Sequence, residues 1–217
     1  MSTPWVIEQH RGDAAAFHER EPECTRAAWS FEVDRPTLVL GSAQPADSVN
    51  RRVADALDVQ VVRRRSGGGG VLLIPHEFVW LDVVVPVGDT LWHDDIGLAT
   101  HWVGELWQQV LADAGIASTV HRRALVSSPW SRQVCFAGLG PGEVVAAHRK
   151  LVGISQRRTR SWLRLQTMCH LRWRPELVAA LVAYHAPAAS EIGSIVGCID
   201  VEAVDLLDAL ITRLAER

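Results

Sequence analysis

Apolar residues recur along this chain at two periods, and the switches between them mark out its elements. A short strand is predicted over 5–9, and an alanine-containing helix over 13–21. The run Pro36-Thr-Leu-Val-Leu-Gly41 reads as a strand ending on glycine. Val49, Val53, Ala56 and Leu57 recur at helical spacing and predict a helix over 46–57; 58–62 follows as another strand. Strands are then predicted over 71–74 and 78–85, separated by Pro75 and His76. The clearest helix spans 100–114, where Val103, Leu106, Trp107, Val110 and Leu111 form one stripe and Gly115 stands at the C-cap. Strand-like segments follow at 117–121, 133–137, 143–147, 151–156 and 162–170, with Gly138-Leu-Gly-Pro-Gly142 as a turn between two of them. The tail is helical over 175–184, 190–196 and 201–214, with Val204, Leu207, Ile211 and Leu214 on one side of the last. Strands crowd the middle and helices flank them, which predicts an α+β fold rather than a doubly wound sheet. Only Ala186-Pro-Ala-Ala189 resembles a linker, so residues 1–217 are expected to form one domain with a helical part at about 175–217.

Composition narrows the function classes. A chain of 217 residues with 48% hydrophobic and 22% charged residues has enough apolar material for a core of its own. Without an apolar run of about 20 residues or a signal-peptide pattern in 1–9, a cytoplasmic protein with no membrane partner is predicted. The formal net charge of −3 argues against nucleic acid as a partner. Cys24, Cys135, Cys169 and Cys198 form no Cys-x-x-Cys pair, and the nine His make no His-Glu-x-x-His pattern, so no metal site is expected. Nine Trp against four Phe and one Tyr is an unusual aromatic balance.

Two segments carry candidate chemistry. Arg63-Arg-Arg-Ser-Gly-Gly-Gly-Gly70 lies between two predicted strands. Glycines there allow close main-chain approach and free N–H groups for an anion, and arginines add positive potential. A flexible turn with solvated arginines is the alternative. The second segment is Lys150-Leu-Val-Gly-Ile-Ser-Gln-Arg157, in which Gly153 inside a strand suggests a ligand or backbone close by. Lys150 either points at the same anion or is a solvated edge residue. Asp82 is expected on the solvent side of a half-buried strand, His121-Arg-Arg123 as a solvated charge run, and Trp102 and Trp107 in the core.

Taken together and in order, these motifs resemble those of the catalytic domain shared by lipoate-protein ligases, octanoyltransferases and, more distantly, biotin-protein ligases. Arg63, Arg64, Ser66, Gly67, Gly68 and Gly69 match its Arg-Arg-x-Ser/Thr-Gly-Gly-Gly motif, with Gly70 following. Gly41 and Gln44 resemble its Gly-x-x-Gln, and Lys150, Leu151, Gly153, Ser155, Gln156 and Arg157 match its lysine motif. The resemblance implies a mixed or antiparallel central sheet flanked by helices, without the large accessory C-terminal domain of longer ligases. It implies Lys150 as a catalytic residue, and Arg63, Arg64, Ser66, Gly67 to Gly70, Gly41, Gln44, Gly153, Ser155 and Gln156 as substrate-binding. It also implies no tightly bound cofactor and a lipoate or octanoate donor, with ATP and Mg as substrate in the ligases.

The acceptor implied is a lysine of a lipoyl-domain protein or the glycine-cleavage carrier protein. A subset of the family moves octanoyl from acyl carrier protein through a cysteine thioester, with a Cys-Phe pair just upstream of the lysine strand; Cys135 occupies that place, 15 residues before Lys150. An ammonium nearby favours the nucleophilic thiolate; a buried apolar cysteine is the alternative. The expected activity therefore leans to octanoyl transfer through Cys135, with an ATP-dependent ligase acting through lipoyl-AMP, and a non-catalytic acyl or acyl-adenylate binder, as alternatives. One departure stands out. The family's His-Asp pair after the glycines is replaced by Leu73-Ile-Pro-His-Glu77, with His76 as a nearby substitute or simply a turn residue.

Overall fold

A computed structural model describes residues 4–217. Strand β1 (Val6–Gly12) leads to helix α1 (Ala14–Glu19), whose first turn is capped by the Asp13 carboxylate accepting from Ala15 N–H. Strands β2 (Ala27–Val33) and β3 (Thr37–Leu40) precede α2 (Arg51–Ala56), which Asn50 caps through Val53 N–H. Next come β4 (Gln60–Arg63), β5 (Val71–Leu73) and β6 (Phe78–Pro86), then α3 (His101–Asp113) and β7 (Thr119–Val120). After these, β8 (Val144–Ala146), β9 (Arg149–Arg158) and β10 (Trp162–His170) complete the strands, and α4 (Pro175–Leu181), α5 (Ala189–Gly193) and α6 (Ala203–Ala215) complete the helices.

Seven strands form a mixed sheet in the order β1-β2-β6-β10-β9-β8-β7, with β1 and β2 parallel and the other pairs antiparallel. A second sheet has the order β4-β3-β5. Alternation along β6 and β10 sends Val79, Leu81, Val83, Val85, Leu163, Leu165 and Cys169 to a core shared with α3 and α6. Phe78, Trp80, Val84, Trp162 and Met168 face the other way, into a core shared with α1 and the second sheet. A third cluster lies between the small sheet, α2, α4 and α5. Among the described residues no helix is long and apolar enough to cross a membrane.

The α+β class and the mixed sheet are as expected, and several local expectations need correction. Strand β2 was not predicted, although Trp29, Phe31 and Val33 alternate into the core and the signal was present. Residues 133–137 form no strand; Cys135–Ala137 is a short 3₁₀ turn. The helix expected over 46–57 is divided into a 3₁₀ turn, Ala46–Ser48, and α2. In α6 the buried stripe is Leu206, Leu210 and Leu214, whereas Val204 is exposed. Two overlapping stripes share Leu214, and packing against α3 selects the one with four-residue spacing.

Asp82 lies wholly inside rather than on a solvent face. Its Oδ2 accepts from Arg164 Nε at 2.6 Å and Nη2 at 2.5 Å, and its Oδ1 accepts from Trp80 Nε1 at 2.5 Å. Arg164 also donates to the carbonyls of Phe17 and Arg20, each at 2.8 Å, and so ties the end of α1 to the sheet. The pair is buried on both sides, so removing one member leaves an uncompensated charge. Arg164→Leu is therefore expected to lose about 3–5 kcal/mol of folding stability. Urea unfolding of the variant beside wild type measures this; a change under about 0.5 kcal/mol would contradict the anchoring role.

Candidate active site

Between β4 and β5 the glycine run turns back over the large sheet. Its closest approach is to the turn after β3, where a Cβ added at Gly41 would stand 1.9 Å from the Gly68 carbonyl oxygen. Gly68 itself has φ of +97°, open to glycine at no steric penalty. Gln44 clamps this region: its Oε1 accepts from Gly41 N–H at 2.8 Å and its Nε2 donates to Arg132 O at 3.0 Å. Gly70 N–H donates to Gln133 O and Cys135 N–H to Gly70 O, both at 2.8 Å, and these bonds seat the Cys135 turn against the loop.

The three adjacent arginines do different things. Arg63 donates to the carbonyls of Gly41 at 2.8 Å and Gln44 at 2.5 Å. Arg64 is buried, donates through Nη2 to Gly67 O at 2.7 Å and Gly69 O at 2.9 Å, and stands 3.8 Å from Cys135 Sγ. Arg65 is half-exposed and pairs with Glu21. Arg63 thus fixes the turn after β3, and Arg64 shapes the glycine loop. The N–H groups of Gly67, Gly68 and Gly69 donate to no backbone carbonyl among the described residues.

Beneath the loop is a cavity of about 50 Å³. Val71, Leu73, Trp80, Phe136, Ile154 and Met168 supply its apolar wall, and Arg64, Cys135, Gly153, Ser155, Gln166 and His18 also line it. Gly153 lets the Phe136 ring pack closely: a Cβ there would stand 3.0 Å from the ring, which would have to give way slightly. Ser66 Oγ donates to Gln166 Oε1 at 2.8 Å and lies 3.0 Å from Ser155 Oγ, so the loop serine and the β9 serine meet at the cavity floor. Gln166 Nε2 faces Asp82 Oδ2 and His18 Nδ1, each at 3.3 Å. Burial, with Arg64 and Arg164 adding positive charge, lowers the pKa of His18 to about 3, and the ring stacks on Trp80 with centroids 4.7 Å apart. His18 and Gln166 belong to no matched motif; only the fold brings them to the cavity.

Lys150 is 5% exposed and is not among the residues lining this cavity; its Nζ stands 4.9 Å from the centre of the Phe136 ring. Its Nζ pairs with the buried Glu143 at 2.7 Å and donates to Cys135 O at 3.2 Å and Gly138 O at 3.0 Å. Glu143 in turn accepts from the N–H groups of Gly140 at 2.7 Å and Ile154 at 3.0 Å, so the glycine-proline turn closes around the lysine. Gln156 points away from the cavity and donates to Ile96 O at 2.8 Å. His76 is exposed and 3.1 Å from Glu32, away from the cavity. Cys169 is buried, and burial pushes its thiol up to about 12. Among the described residues no three His, Cys, Asp or Glu side chains gather where a metal could be held.

With this geometry in view, comparison with known proteins identifies the class. The family model described as the lipoyl protein ligase A/B catalytic domain matches residues 11–195, and the chain belongs to that family. Solved structures share the fold. Lipoate-protein ligase A bound with ATP aligns at TM-score 0.76 and 16% identity, covering 100% of this chain and 85% of that one. A Thermoplasma acidophilum bipartite lipoate protein ligase, described with its E2 lipoyl domain, aligns at 0.71 and 16% identity, covering 100% and 83%. A T. acidophilum protein with bound lipoic acid aligns at 0.71 and 16%, covering 100% and 86%. No curated protein matches the sequence.

Two outcomes test the geometry. His18 and His170, both held near pKa 3 chiefly by burial, stay neutral in the fold while their unfolded forms protonate near the ordinary imidazole value of about 6.5. Acid therefore favours the unfolded chain: the stability they contribute is complete above about pH 6.5 and is lost as pH falls toward 3. In urea unfolding between about pH 6 and pH 4, His18→Gln should reduce the slope of stability against pH by about 1.4 kcal/mol per unit. An unchanged slope would refute the neutral buried His18. Separately, Gly41→Ala should lose about 1–3 kcal/mol or fail to fold. Gly67→Ala, whose Cβ meets nothing within 4 Å, should leave the folding stability within about 0.5 kcal/mol of wild type.

Proposed function

We propose that this chain transfers an octanoyl or lipoyl group to a lysine of a lipoyl-domain protein through a thioester on Cys135. The observation that carries the reading is Cys135 Sγ in the wall of an apolar cavity, with Arg64 Nη2 3.8 Å away as a donor toward the sulfur. The Cys135 thiolate attacks the carbonyl carbon of an acyl thioester such as acyl carrier protein would present; the new C–S bond forms as the donor thiolate leaves. The deprotonated amine of the acceptor lysine then attacks the Cys135 thioester; the C–N bond forms as the C–S bond breaks, and the proton lost from the amine nitrogen goes to the departing Cys135 sulfur. The unpaired N–H groups of Gly67 to Gly69 suit the oxyanion of either tetrahedral intermediate. In this reading Lys150 acts by holding the Cys135 and Gly138 carbonyls, and Ser66, Ser155 and Gly153 shape the acyl slot.

A second reading has its own support: structural relatives described with ATP and with lipoic acid favour activation of the free acid as an adenylate. The relative described with an E2 lipoyl domain supports that class of acceptor in both readings. Incubation with an apo lipoyl domain and either octanoyl-carrier protein or lipoate, ATP and Mg, read by intact mass, separates them. Thioester transfer requires a mass gain with the carrier protein alone, abolished in Cys135→Ala. A gain that needs ATP and survives Cys135→Ala makes the chain a ligase instead. No gain with any donor, alongside acyl-adenylate binding, leaves a non-catalytic binder. Lys150→Ala is expected to lower the rate at least about tenfold in either enzymatic case, about 1.4 kcal/mol of barrier.

A further inference from the structure

The cavity wall holds a hydrogen-bond donor that the proposed transfer has not used. Asp82 Oδ2 accepts from two Arg164 nitrogens and Oδ1 from Trp80 Nε1, so both carboxyl oxygens stand as acceptors in the polar network. A carboxylate oxygen repels an amide oxygen, so the Gln166 amide must turn its NH₂ toward Asp82. That orientation agrees with Ser66 donating to Gln166 Oε1, and it also places the NH₂ against His18 Nδ1. His18 Nδ1 is then the acceptor, and the single proton of the neutral ring sits on Nε2. That Nε2–H is buried and has no partner among the described residues. The His18 side chain is itself more than nine-tenths buried and faces the cavity. Arg64 Nε, in the same wall, is a second buried N–H without a partner among the described residues.

A donor buried without a partner loses its hydration, so a site built this way is completed by a ligand acceptor. We propose that His18 Nε2–H donates to an oxygen of the bound acyl group and is a specificity-determining residue of this pocket. The proposal rests on the acyl-transfer reading above and names what the pocket takes: an acyl chain with an acceptor oxygen within reach of His18. The oxygen belongs either to the acyl carboxyl carbon or to a hydroxyl or oxo substituent on the chain. Gln166, Asp82 and Arg164 act through His18 by fixing its tautomer and its ring.

The test is binding to the full chain, followed by the fluorescence of the cavity tryptophan Trp80 or by calorimetry, with octanoate and 8-hydroxyoctanoate as probes. His18→Phe keeps the ring over Trp80 and removes the donor; His18→Gln keeps a donor at a similar reach. Affinity is expected to fall about tenfold in His18→Phe, equivalent to about 1.4 kcal/mol, and to be largely restored in His18→Gln. An equal fall for both probes places the oxygen at the carboxyl end; a fall for 8-hydroxyoctanoate alone places it on the chain; both support the proposal. Unchanged affinity for both probes in His18→Phe, or an equal loss in both variants, overturns it.

A readout without substitution guards against misfolded variants. In ¹⁵N-labelled wild type, the His18 Nε2–H resonance should shift when acid binds, and acid binding without that shift refutes the assignment. If wild type binds neither acid and transfers no acyl group, the underlying functional reading fails as well. If transfer proceeds and only the His18 arms fail, the inference alone is lost.

Discussion

The buried pair of Arg164 and Asp82 is the contact from which the candidate site is built. Burial raises the Asp82 pKa against the opposing pull of the Arg164 guanidinium, which donates to this carboxylate and to two carbonyls at the end of α1. The same carboxylate then orients Gln166, and Gln166 joins Ser66 of the glycine loop to His18 of α1. A short helix, a loop and two central strands therefore meet at one charge. Ion pairs of this kind add little net stability relative to well-packed apolar groups. Here the pair fixes which side chains face the cavity.

Above that floor, the glycine loop works by proximity. Gly41 and Gly68 touch backbone to backbone, Arg63 and Arg64 satisfy loop carbonyls, and the Cys135 turn is hydrogen-bonded to Gly70. The main chain of Cys135 is thus seated by these contacts. Lys150 is placed in the same manner: all three of its N–H donors are taken up by Glu143 and two carbonyls, so in this state it holds the turn around Cys135.

Much of this was legible beforehand, for identifiable reasons. Strand β10 and helix α3 carry strong periodicity and were located almost to the residue. The Arg-Arg-x-Ser-Gly-Gly-Gly and lysine motifs are local in sequence and could be read directly. Arg64, Cys135, Gly153 and Ser155 were singled out and do line one cavity. What escaped notice was local structure without strong periodicity, as in the turn at 133–137, and α6, where two stripes overlap. Asp82 looked like a lone polar residue because its partner lies 82 positions away. His18 and Gln166 carry no motif at all, and nothing near them in the chain marks them.

By itself, then, the amino-acid order determined the α+β class, the glycine loop, the family to which the chain belongs and the residues worth watching, because each depends on short-range pattern. Only the tertiary structure decided which arginine touches Cys135, that Lys150 is closed in by Glu143, and that a buried His18 lines the cavity. Those outcomes depend on long-range pairing and on charges removed from water, and the interaction of two buried groups cannot be read until both are in place.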